Sequence, residues 1–127
     1  MKLRNSEGQT LVETALVLPV ILLILMGIIE FGLIFNNYLM VSNASREGAR
    51  TAAVGATDAQ IISLVKNAAN LDPSKITITI SPLQPVRKKG DEVSITVLYN
   101  YNLITPVISA IIPGPLPLSS RAVMRVE

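Results

Sequence analysis

The chain has 127 residues, half of them hydrophobic, a formal net charge of +2, and neither cysteine nor histidine. That length holds one small domain and an appendage. The missing residue types remove disulfides, thiolate metal sites, the commonest general base and the commonest metal ligand. The small, scattered charge offers no basic stripe for nucleic acid. These exclusions point to a non-enzymatic chain with no cofactor, no metal and no small-molecule substrate.

The first element lies in MKLRNSEGQTLVETALVLPVILLILMGIIEFG. From Leu11 to Phe35 the only charges are Glu13 and Glu30, and Thr14 to Ile29 carries none. As helices these stretches measure about 37 Å and about 24 Å, and a hydrocarbon core of about 30 Å falls between them. The segment therefore reads as a transmembrane helix over about 11–35. Lys2 and Arg4 ahead of it place the N-terminus in the cytoplasm by the positive-inside rule, although Arg46 and Arg50 beyond the span weaken the bias. A secretory signal is a poorer fit, since its apolar region runs about 7–15 residues and ends at a small-residue cut. A buried helix of a soluble protein fits poorly as well, because the run has no polar face. Pro19 removes one backbone donor and crowds the carbonyl of Ala15. It is expected to kink the helix, either as a tolerated bend or as a weak point near Glu13. Glu30, at the far interface, reads as a solvated anchor.

Beyond the span, NNYLMVSNASREGARTAAV continues without proline. Leu39, Met40, Ala44, Ala49, Ala52 and Ala53 supply an apolar side, and Glu47 and Arg50 are spaced to pair. One long helical segment, 9–56, is expected, membrane-spanning first and amphipathic later, with Gly55 as its stop.

Gly8 followed by Gln-Thr-Leu-Val and Glu13 resembles the processing site of type IV pilin-like precursors. With VETALVLPVIL, IIEFG, SREGARTAAV and the closing RAVMRVE, the sequence resembles the TadE-like family, the minor pilins or pseudopilins of the Tad (tight adherence) pilus. The resemblance implies a cytoplasmic leader, 1–8, cut by a prepilin peptidase between Gly8 and Gln9. It further implies partner pilin-like subunits that meet through the N-terminal helix. The location it implies is the inner membrane, single-pass, with an extracytoplasmic head and the extracellular pilus as a further destination. Its function would be structural, in assembly of a Tad-type adhesion pilus. The alternative is an uncleaved, membrane-anchored subunit of an envelope or secretion complex.

Physical chemistry fits the processing reading. Gly8 leaves its peptide unhindered. A cut there creates an α-amino group of ordinary pKa about 7.7–8.0, about 6 Å along the helix from Glu13. A carboxylate in low dielectric costs less beside a cation, so Glu13 is expected to pair with its own new terminus or a neighbour's. The competing reading keeps Glu13 hydrated at the headgroups.

The remainder, 57–127, reads as an extracytoplasmic α+β head. Thr57 and Gln60 form a capping-box pattern. Ile61, Ile62, Leu64, Val65, Ala68, Ala69 and Leu71 then recur at helical spacing until Asp72-Pro73 ends a short second helix. KITITIS, EVSITVLYNYN and RAVMRVE alternate as strands, which gives a small three-stranded antiparallel sheet covered by helices. Arg87-Lys88-Lys89-Gly90-Asp91 reads as a solvated turn, with contact to an anionic surface as the other reading. The apolar, proline-rich stretch 104–118 reads as a long connection. Pro106 and Pro113 would bracket one helical turn, its Val107, Ile108, Ile111 and Ile112 either covering the sheet edge or lying exposed.

Overall fold

The computed structural model describes residues 2–127, with side chains from Ser6 onward. The expected basic charges of Lys2 and Arg4 therefore lie outside the described side chains. The fold is α+β: a long helix α1 (Lys2–Ala53), a helix α2 (Asp58–Ala69), a three-residue 3-10 turn (Pro73–Lys75), strands β1 (Ile76–Ser81) and β2 (Glu92–Tyr101), a short helix α3 (Pro106–Ile111), and strand β3 (Leu116–Arg125). Helix α1 starts before the expected position 9 and runs unbroken through Gly8 and Pro19. The chain divides into two compact units.

One unit comprises Leu33–Asn102 and Gly114–Glu127. Its sheet is antiparallel with order β1-β2-β3. The register aligns Ile76 with Tyr99, Ile78 with Val97 and Ile80 with Ile95 on one side of β2. On the other side it aligns Tyr99 with Leu118, Ile95 with Ala122 and Val93 with Met124. Opposed residues share a face, so the alternation read from the sequence becomes one continuous apolar surface. Strand β3 starts at Leu116, inside the stretch expected to be a loop, and Pro117 is accommodated because β3 is an edge.

The core forms where this surface meets α2 and the outer half of α1. Val41, Ala44, Ser45, Ala49 and Ala52 are buried at helical spacing, opposite Val93, Ile95 and Val97. Small side chains on α1 permit the close approach. A Cβ on Gly48 would lie 2.6 Å from Val65 Cγ2 and 3.2 Å from Ile95 Cγ2. Ser45 is satisfied by donating to the Ser42 carbonyl (2.8 Å) and by a 3.1 Å hydroxyl contact with Ser120.

The helix ends are closed locally. Gly55, with φ +94°, ends α1. Its N–H donates to Ala52 O and the Ala56 N–H to Thr51 O, the paired pattern of a Schellman cap. Glu127 N–H donates to Ala53 O, satisfying another late carbonyl of α1. Helix α2 carries the expected capping box between Thr57 and Gln60. It stops two residues earlier than expected, because Asn70 takes the left-handed conformation. Of its apolar stripe, Ile61, Val65 and Ala69 are buried. Among the described residues the one ion pair joins Arg87 to Asp58, so the Glu47–Arg50 pairing allowed by spacing is not made.

The other unit holds α1 as far as Gly32 together with Leu103–Pro113. The most apolar window of α1 is almost wholly exposed, which excludes its being the buried core helix of this fold. The bracketed turn between Pro106 and Pro113 is present as α3.

Candidate functional site

Two polar constellations interrupt the apolar half of α1. The first is at its amino end. Gly8 is exposed, and a Cβ built on it would meet nothing within 4 Å. Gln9 and Glu13 are exposed one turn apart, and Gln9 Nε2 donates to Glu13 Oε1 at 3.2 Å. Thr10 and Thr14 donate their hydroxyls to the carbonyls four residues back, those of Ser6 and Thr10, each at 2.8 Å. The helix backbone thus absorbs the hydroxyl donors, and they carry no unmet hydrogen bond into an apolar medium. Glu13 is left as the ionisable group at the start of the apolar run, already oriented toward residue 9. Pro19 is exposed two turns further on.

The second constellation corrects the reading of Glu30. Glu30 is 1% exposed, not a solvated anchor. Its Oε2 accepts the Thr105 N–H at 2.8 Å and the Thr105 hydroxyl at 2.7 Å. Both of its oxygens lie 3.2 Å from the Ile104 N–H. A carboxylate can be buried when several donors converge on it. Here they come from the chain just ahead of α3, a segment far away in sequence, which spacing alone does not reveal. The connection expected to cover the sheet edge or lie free is instead held against the apolar half of α1.

The solvated-turn reading of 87–91 also needs correction at its first residue. The Arg87 side chain is 2% exposed. Its Nη2 lies 2.6 Å from Asp58 Oδ1, while Nε and Nη1 donate to the carbonyls of Pro82 and Ala56 at 3.3 Å. Asp58 also accepts the Gln84 N–H. Lys88, Lys89 and Asp91 remain exposed, and Gly90 turns the chain with φ +90°. Arg87 is thus a structural tie between α2 and the β1–β2 connection.

Residues 8–50 match the family described as TadE-like protein. The matched stretch opens at Gly8, takes in Gln9, Glu13, Pro19 and Glu30, and ends within α1. The match agrees with the resemblance carried by the N-terminal motifs, and α2 and the sheet lie beyond the TadE-like segment. The family points to a pilin-like protein associated with the Tad pilus. The exposed apolar helix and this family together fit a membrane-anchored protein. No match was found among curated proteins or solved structures.

Proposed function

We propose that the chain is a minor pilin or pseudopilin in assembly of a Tad-type adhesion pilus. It would be cut after Gly8 by a prepilin peptidase, with its N-terminus cytoplasmic and its α+β head extracytoplasmic. The observation that carries this reading is the exposed Glu13 carboxylate at the start of an apolar helix, one turn from Gln9. Before the cut, Gln9 offers Glu13 a neutral amide. Removal of 1–8 gives residue 9 an ammonium group, adding a cationic donor to a site where the carboxylate had only a neutral one. If the ammonium of a neighbouring subunit supplies the charge instead, lateral entry into a helix bundle is favoured by the same neutralisation. Pro19 would then let the helix bend where it passes between membrane and filament.

Proteolysis requires the bond after Gly8 to leave the helix. Proline apart, glycine is the residue whose departure costs least, being less favourable than alanine in a helix by about 0.8–1.0 kcal/mol. The continuity of α1 across Gly8 favours a second reading, an uncleaved single-pass subunit of an envelope or secretion complex. Intact-mass measurement of the native protein separates them. A chain starting at Gln9 is expected, and one starting at Met1 supports the second reading. Gly8→Ile should accumulate full-length precursor. Glu13→Gln should insert normally yet co-purify less with partner pilins, and unchanged co-purification would remove the pairing role.

A further inference from the structure

Leu103–Pro113 has a surface that the pilin reading does not use. Ile104 and Ile111 are 68% and 70% exposed, and Val107 and Ile112 are exposed beside them. No charged residue occurs between Asn102 and Ser120. A water-facing loop of this length is ordinarily polar, and a contiguous apolar surface marks contact with something else. Its level on α1 is fixed by the hydrogen bonds of Ile104 and Thr105 to Glu30. Seventeen helical steps of about 1.5 Å separate Glu30 from Glu13, about 25 Å in all. In a bilayer whose hydrocarbon is about 30 Å thick, a helix that starts its span near Glu13 brings Glu30 to the far boundary. On α1 at that level, Ile28, Ile29 and Phe31 are exposed as well.

We propose that Leu103–Pro113 is a second membrane-contact element, an apolar wedge seated at the headgroup–acyl boundary with bilayer lipid against Ile104, Val107, Ile111 and Ile112. The inference rests on the membrane-anchored reading of α1. Lipid is favoured as the occupant because the wedge belongs to the same compact unit as the apolar half of α1. Its surface therefore continues one already assigned to lipid. The proline at each end and the short helix between them keep the backbone compact. Glu30 is the positioning residue, taking up the N–H groups ahead of α3 that would otherwise enter the boundary unpaired.

The chain lacks cysteine, so single cysteines can be placed freely in the full-length protein and labelled with an environment-sensitive fluorophore. The probe membranes are vesicles of phosphatidylcholine and phosphatidylglycerol, with part of the phosphatidylcholine brominated either near the headgroup or deep in the acyl chain. Val17→Cys reports the span, Ser63→Cys the water-facing side of α2, and Ile111→Cys the wedge. The expected result is quenching of Ile111→Cys by the shallow bromines, of Val17→Cys, about 6 Å inside the near boundary, by the shallow and more weakly by the deep ones, and of Ser63→Cys by neither. In Glu30→Ala the shallow quenching at position 111 should fall while that at position 17 is kept. An Ile111→Cys label open to aqueous iodide while Val17→Cys remains in lipid overturns the wedge and leaves the span standing. A label shielded from both iodide and bromines also overturns it, since protein then covers the face. Loss of lipid contact at Val17→Cys overturns the membrane reading itself.

Discussion

Glu30 takes both the N–H and the hydroxyl of Thr105 on one carboxylate oxygen, across 75 positions of sequence. Hydrogen bonds to a charged group contribute about 1.5–3 kcal/mol each. Glu30→Ala should therefore raise amide exchange at Ile104 and Thr105 by on the order of tenfold or more, since about 1.4 kcal/mol is one decade. Glu30→Gln keeps an acceptor and should give a smaller rise. Exchange measured on the protein in micelles checks this, and equal rates in wild type and Glu30→Ala would refute it.

Gly48 faces Val65 and Ile95 with no room for a methyl group. Alanine gains up to about 1 kcal/mol of helix propensity, but overpacking costs about 1–3 kcal/mol. The strain is expected to win, because Val65 is β-branched and held to one rotamer on its own helix. Gly48→Ala should lower the thermal midpoint of the unit containing the sheet, and Gly48→Val should lower it further. A midpoint equal to or above wild type would show that α1 and α2 can separate at no cost.

Asp58 and Arg87 form a shielded pair whose two halves are unequal. Removing Asp58 leaves a guanidinium that is almost wholly buried, and breaking such a pair costs about 3–5 kcal/mol. The value should sit near 3 kcal/mol, because Asp58 keeps 24% of its side chain in water and Arg87 retains two carbonyl acceptors. Arg87→Met leaves only a partly hydrated carboxylate and should cost less. Urea titration of both variants tests the order, and a less stable Arg87→Met would reverse the argument.

Asp72 precedes the 3-10 turn and accepts the hydroxyl and N–H of Ser74. The Ser74 hydroxyl, followed by its N–H, holds the Asp72 carboxyl below its ordinary value of 3.8. A depressed carboxylate favours the folded turn above the unfolded value, and that contribution is lost as pH falls through the lower folded value. Ser74→Ala should move the carboxyl titration upward, toward 3.8. Carbon-detected NMR titration reads this directly, and an unmoved midpoint would mean that the hydroxyl is not the cause.

The elements legible in the sequence are those whose determinants are local. The β strands show their face by alternation, the start of α2 by Thr57 and Gln60, and the end of α1 by Gly55. The proximity of Gln9 to Glu13 is legible for the same reason, since the two lie one helical turn apart. Glu30 and Arg87 are not legible. Each is a charge in a context that suggests hydration, and each is buried by donors or acceptors that arrive from distant chain. The first half of β3, from Leu116 to Ser120, is hidden by Pro117, which argues against a central strand but is harmless at an edge. Helix α1 reaches back past Gly8 because residues 2–7 contain neither proline nor glycine to stop it. A boundary set by the proposed cut after Gly8 would be a chemical one, and the helical backbone runs through it unbroken.

The chain passes between its two compact units three times: after Gly32, after Asn102 and before Gly114. The β2–β3 connection leaves the sheet-bearing unit and returns to it, so its tie to the apolar half of α1 is non-covalent, through the hydrogen bonds of Ile104 and Thr105 to Glu30. Under traction the helical rod would carry load through its peptide bonds, and the looped strap would share it only as far as the hydrogen bonds to Glu30 hold. Cutting the strap by proteolysis between Leu103 and Pro113 should weaken that mechanical link while every peptide bond of the rod stays whole.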